Sequence, residues 1–304
     1  MYRAIRNMLK LINDSVVDII PFNIYASIYY NVSANVNTYH VKKLALNKRL
    51  KQLKDLDYKK RKKSDKLFIL GSGSSINDIT AEQWGHINEH DSIGFNFWVV
   101  HDFVPTFYVY EENLELNRNQ VFYNILNERK ADYINTPLIV KDVEYKGLST
   151  DLIPSELIDN IYLSTEIVIP YSNEYHVEKF LNKGKDFFES QNSHSVNLLL
   201  KKSASISYLL HLSQVLGYKE VILCGIDLNN SLYFYEHESY KSKVTPIQDY
   251  ETSKVHPTNI RTESNLPIEI VVNLIKNTYL KDSNMKLYVA SKKSSLHPKL
   301  DCYF

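Results

Sequence analysis

The sequence predicts an α/β fold: a mainly parallel sheet with flanking helices, preceded by an N-terminal helical extension. Three observations lead there. Short apolar runs bounded by turn residues recur along the chain, and amphipathic runs of helical length separate several of them. The apolar share of 44% is ample for a buried core. Finally, a Gly/Ser turn, "LGSGSS" at 70–75, follows the apolar run "KLFIL" at 66–70 directly. Open α/β sheets bind their ligands outside such strand ends.

Residues 1–65 read as a basic extension. Residues 1–66 hold 15 Lys/Arg against 5 Asp/Glu, and the remainder holds 21 against 30, so a net charge of +1 hides a split chain. Residues 1–20 contain Asp14 and Asp18 and no uninterrupted apolar core, which argues against a signal peptide. The run "VVDIIPFNIYASIYY" (16–30) is broken by Asp18, Pro21 and Asn23, well short of the about 20 apolar residues of a spanning helix. Residues 41–63 read as a helix with a partial stripe of Leu44, Leu46, Leu50, Leu53 and Leu56, ended by "KKRKK". Asp55 and Asp57 form a DxD, a pair that holds a metal on a diphosphate in many sugar-nucleotide transferases. On a basic helix with no strand before it, the pair reads as solvated surface.

From Lys66 the pattern changes. A strand at 66–70, the turn, and a helix from 76–84 come first; strand-like runs follow at 91–98, 106–112, 137–141 and 160–165. An amphipathic helix at 203–218 stops at Gly217. Then come the clearest buried strand, "KEVILCGID" (219–227), a helix at 268–280 and a strand at 285–291. The loops after Leu70, Ile93, Tyr110 and Asp227 are where chemistry is expected. Cys224 and Cys302 have no CxxC spacing, which points to a reducing compartment and away from a disulfide framework or structural zinc.

The turn fits neither familiar nucleotide loop. The dinucleotide fingerprint GxGxxG fails at Ile76, and there is no GxxxxGK[ST]. What remains is a set of backbone N–H groups and hydroxyls at Gly71, Ser72, Gly73 and Ser74, suited to anionic oxygen. Three other segments add to it: Asn96 in "GFNFW", Gly225 and Asp227 in "LGYKEVILCGIDLNNSLYFY" (216–235), and His256 in "VHPTNIRTE" (255–263).

In these segments the chain resembles the bacterial sialyltransferases of glycosyltransferase family 42, over about 66–304 and in the same order. The matching features are the GxGxS turn (Gly71, Gly73, Ser75), Asn96 after a second strand, "LGYKE…GID" at 216–220 and 225–227, Tyr235 in a lid, and His256 before the last helix. The resemblance implies a Rossmann-like catalytic domain of GT-A-like type at 66–304 with a lid segment at about 228–262. It implies transfer of sialic acid or a related ulosonic acid from a CMP-activated donor to a hydroxyl of a surface-glycan or glycolipid acceptor, with no metal or other cofactor. His256 is then the general base, with Tyr235, Tyr233 and Lys202 at the departing phosphate. Gly71, Ser72, Gly73, Ser74, Asn96, Ser205, Gly225, Asp227 and Asn229 are then the substrate-binding set.

The chain departs from the family in three places. Lys202 stands where the family has Arg, Asn229 where it has the first lid tyrosine, and Tyr110 or Glu111 near the position of an Asn. Those departures suit a different acidic sugar, such as Kdo. His194 and His237 compete with His256 as base. The implied location is cytoplasmic, with residues 1–63 either peripheral on the inner membrane face or packed against another subunit of a homo-oligomer. Nucleic acid is not an expected partner. Two other classes stay open: a metal-dependent, pyrophosphokinase-like nucleotide enzyme using Glu111 and Glu112, and a non-catalytic member of the same fold.

Overall fold

The structure is a computed structural model that describes residues 21–112, 116–142, 152–190, 197–246 and 255–304. His194, residues 1–20 and 247–254 of the expected lid lie outside the described residues. The apolar runs become ten strands of one sheet: β1 (Lys51–Gln52), β2 (Lys66–Leu70), β3 (Asp91–Phe95), β4 (Phe107–Glu112), β5 (Leu138–Asp142), β6 (Ile161–Val168), β7 (Leu198–Lys201), β8 (Glu220–Cys224), β9 (Lys286–Val289) and β10 (Asp301–Cys302). Their order is β1-β6-β5-β4-β3-β2-β8-β9-β10, with β7 beside β6, and every pairing is parallel. This is a Rossmann-like α/β fold.

The helices are α1 (Phe22–Lys48), α2 (Ala81–Asn88), α3 (Leu116–Glu128), α4 (Lys130–Tyr133), α5 (Glu174–Ser190), α6 (Ser205–Val215) and α7 (Ile268–Asn277). They bury both sheet faces. On β2, Leu67 and Ile69 join one core with α5, α6 and α7, while Phe68 and Leu70 join the other with α2 and α3. That two-sided burial explains why the run is continuously apolar rather than alternating. From β2 the chain moves outward through β3, β4, β5 and β6, and β8 later docks on the other side of β2. The carboxyl ends of β2 and β8 therefore flank a topological switch point, where such sheets open a crevice.

Several expected boundaries are corrected. The helix expected over 41–63 ends at Lys48, where Arg49 turns left-handed (φ 56). Lys51 and Gln52 instead pair with Tyr162 and Leu163 on β6. Leu50, Leu53 and Leu56 recur at every third position, and they seat a strand and a short 3₁₀ turn on the sheet edge rather than one stripe of an α-helix. Leu46, in the expected stripe, is 70% exposed. The α-helix lies earlier than expected, and its first half was not foreseen. Tyr29 and Tyr30 tie it down by donating to the carbonyls of Val168 (2.6 Å) and Phe180 (2.7 Å). Residues 22–56 contribute to both cores. Asp55 accepts the Gln52 N–H, and Asp57 pairs with Lys60 at the surface.

Residues 74–78 form a 3₁₀ turn, and α2 begins only at Ala81. Thr80 caps it in a reciprocal box with Gln83 (3.2 and 2.9 Å). The strand expected over 91–98 stops at Phe95, because Asn96 turns left-handed (φ 51) into a 3₁₀ segment. Among the described residues no helix is long and apolar enough to cross a membrane.

Candidate functional site

A cleft of about 270 Å³ lies at the carboxyl ends of β2, β3, β4, β7 and β8. Its floor is the glycine turn. Gly71 and Gly73 donate their N–H groups to the carbonyls of Cys224 and Gly225, both at 2.8 Å, so the β2–β8 ladder continues past the strand ends. The Ser74 N–H goes to Leu232 (3.1 Å). Ser75 gives its N–H (2.9 Å) and hydroxyl (2.5 Å) to the carboxylate of Asp227. In this turn only Ser72 keeps an N–H with no partner among the described residues. The expectation that the turn presents a set of free amides to an anion is therefore corrected: its donors are spent on β8 and on Asp227.

The glycines are required by close approach. A Cβ on Gly71 would stand 2.7 Å from the Gly225 carbonyl oxygen. At Gly225 (φ +64) it would meet Ile76 Cγ1 at 2.6 Å and the Gly71 oxygen at 2.8 Å. Gly225→Ala is expected to lower stability by more than about 1 kcal/mol, read as a lower urea midpoint; an unchanged midpoint would contradict this packing.

Left-handed backbone clusters around the cleft. Asn96 (φ 51), Ser203 (φ 61) and Leu228 (φ 65) are three of the four non-glycine residues with positive φ among the described residues, and all three line it. Each such conformation costs on the order of 1–3 kcal/mol and persists only where the surroundings hold it. Here the Tyr108 hydroxyl bonds the Asn96 carbonyl (2.5 Å), Ser203 donates to Leu266 O (2.6 Å), and the His256 N–H reaches Leu228 O (3.3 Å).

One side of the cleft is aromatic and basic. Tyr233 is pinned to the turn by a bridge with Gly73, and its ring stacks on Tyr235 at 5.1 Å and 4°. Its hydroxyl lies 3.0 Å from His256 Nε2, and His256 Nδ1 lies 2.8 Å from Thr258 Oγ1. Burial lowers the His256 pKa, so the imidazole is neutral near pH 7.

The other wall is ionic. Lys141 pairs with Glu111 (2.8 Å) and with Glu166, and Lys201 pairs with Glu111 and with Glu166 (3.5 Å). Ser205 donates to Glu111 (2.8 Å). Two cations and two carboxylates leave this cluster without net charge. Arg118 is different. Its guanidinium sits 4.9 Å from the centre of the Phe97 ring and meets no carboxylate among the described residues.

Of the expected site residues, Ser72, Gly73, Asn96, Ser205, Gly225, Asp227, Tyr233, Tyr235 and His256 line this one cleft. Gly71 and Ser74 do not line it; they belong to the hydrogen-bonded floor. Lys202 does not line it either. Its side chain is buried, and burial pulls its ammonium down to about 8. Neighbouring strand residues face opposite ways, so Lys201 lines the cleft instead. The Asn229 amide turns away to the Lys293 carbonyl (2.7 Å), and Asn230 lines the cleft. His237 is exposed and bonds Ser239. Near the third expected strand, Tyr110 is core, bonded to Asn119 (2.8 Å), and Glu111 faces the cleft.

Sequence reading missed Glu111 as a wall residue, and also Arg118, Lys201, Ser203, Asn230 and Thr258. The alternation in "LLLKK" could have separated Lys201 from Lys202; nothing in the sequence marks Arg118. Compared with known proteins, the chain matches no family model and no curated protein at a significant level.

Proposed function

We propose that the chain is a glycosyltransferase that moves an acidic sugar from a CMP-activated donor to a hydroxyl of a glycan or glycolipid acceptor. The observation that carries this reading is the convergence of His256, Tyr233 and Tyr235 over a cleft at the switch point of the sheet. The acceptor oxygen forms a bond to the anomeric carbon, while the bond from that carbon to the phosphate oxygen breaks and CMP leaves with the electron pair. The acceptor proton passes to the neutral His256 imidazole, whose Nδ1 side is held by the Thr258 hydroxyl (2.8 Å) and backbone N–H (3.3 Å). The Tyr235 hydroxyl donates to the departing phosphate, and the Tyr233 hydroxyl, 3.0 Å from His256 Nε2, orients the base. No step calls for a metal or an organic cofactor.

Arg118 meets a carboxylate or phosphate of the donor as a fork of parallel donors. Arg118→Ala is expected to raise KM for the donor about 10-fold or more, the size of a lost charged hydrogen bond, with little change in kcat. An unchanged KM would remove Arg118 from donor binding. The basic residues of 1–63 hold the enzyme on the inner face of the cytoplasmic membrane.

The reading is tested by incubating the purified chain with CMP-Neu5Ac and with CMP-Kdo and measuring CMP release, which continues in EDTA. If neither donor is bound or turned over, the reading fails; binding without release would favour a non-catalytic member of the fold. The metal-dependent nucleotide enzyme is not favoured. Glu111 is held by two lysines, whereas Glu112, on the other face of the strand, accepts from Tyr123 (3.1 Å), so the two carboxylates do not converge.

A further inference from the structure

We propose that His86, Glu89 and His90 form a binding site for Zn²⁺ or a similar late first-row divalent cation. His86 lies in the last turn of α2, Glu89 is its C-cap and His90 follows it, and the end of the helix brings the three side chains together. One ligand atom from each lies within 4.8 Å of the other two. The His86 and His90 rings are 4.8 Å apart, and His86 Nδ1 is 3.9 Å from the Glu89 carboxylate. His90 Nδ1 is buried with no hydrogen-bond partner.

His86 is already oriented. Its Nε2 lies 3.0 Å from the Tyr303 hydroxyl, which also accepts from Lys66 Nζ (2.8 Å), while the Tyr303 N–H is fixed to Val289 O (2.8 Å). With Nε2–H donated to Tyr303, Nδ1 of His86 keeps its lone pair for the cation. This is the outer bond that fixes tautomer and ring in histidine-bound metals. Two imidazoles and one carboxylate suit zinc and leave a coordination position for water.

The site is separate from the cleft. His90 leads straight into the amino end of β3, and both histidine rings pack on Phe68, whereas the cleft lies at the carboxyl ends. A cation here would clamp the end of α2 to the C-terminal segment at Tyr303. It takes no part in the proposed transfer.

The test uses the full chain without a histidine tag, dialysed against ZnCl₂ and analysed for bound metal. One zinc per chain is expected. The His86→Ala/His90→Ala double variant should lose it, and Glu89→Ala, an exposed change that leaves packing intact, should bind more weakly. Tyr303→Phe should weaken affinity about 10-fold, and His237→Ala should bind as wild type. Absence of bound zinc in the wild type, or equal binding by the double variant, would overturn the proposal.

Discussion

Replacing His256 by alanine is expected to cut CMP release by about 10²- to 10⁴-fold, the range that a positioned general base contributes, with donor binding retained. The pH profile carries the same claim in a form that misfolding cannot imitate. A general base works unprotonated, so the rate falls as pH falls through its pKa. Burial lowers the His256 pKa from 6.5, which puts the acid limb of the wild-type profile below that value. Thr258→Val removes the hydroxyl beside Nδ1 and should move this limb while leaving the basic limb in place. Turnover by His256→Ala at the wild-type rate would end the assignment, and so would an acid limb above 6.5.

Lys141→Met is expected to destabilise the fold by about 3–5 kcal/mol, the penalty for removing one member of a buried ion cluster. Burial acts to lower the Lys141 pKa, yet Glu111 and Glu166 outweigh it and hold the ammonium above its ordinary range. Its contribution is thus complete below the unfolded value of 10.5 and is lost as pH rises through the folded one. Burial acts to raise Glu111, but Lys141 and Lys201 outweigh that and hold its carboxyl well below the usual range. Its contribution is present above the ordinary carboxylate pKa and is lost only as pH falls through the depressed value. In the variant, Glu111 and Glu166 share Lys201 alone, and protonating a carboxylate relieves the strain. Urea midpoints should therefore show a deficit at pH 7 that narrows toward pH 4. A constant deficit would show that packing, not charge, was lost.

The sheet was legible because its strands are buried on both faces and so advertise themselves as unbroken apolar runs, as in "KLFIL" and "VILC". The same logic placed the cleft at the loops after Leu70, Ile93 and Asp227. Boundaries failed where local geometry overrides periodicity: left-handed Asn96 cuts β3 short, and left-handed Arg49 ends α1. The tyrosines of α1 lie in a run that first reads as a failed membrane segment, although their hydroxyls are anchors to distant carbonyls. The pairing of Glu111 with Lys201 went unread for another reason. A charged residue in a strand is informative only once its partner across the sheet is known, and that pairing joins residues 90 positions apart. The glycine turn shows the reverse case. The sequence marked the residues as anion donors, but hydrogen bonding to β8 gives them a different physical job.

That job has a consequence for mutational scanning. Substitutions at Gly71, Gly73, Gly225 and Asp227 disturb the join between β2 and β8, so they should lower the amount of folded protein in the cell. His256, Tyr233 and Arg118 stand around the cleft without carrying that join, so their variants should accumulate normally and fail only in catalysis, Arg118 through donor binding. A screen scored on activity would flag both groups alike. Scored on abundance as well, it would sort the frame from the working surface.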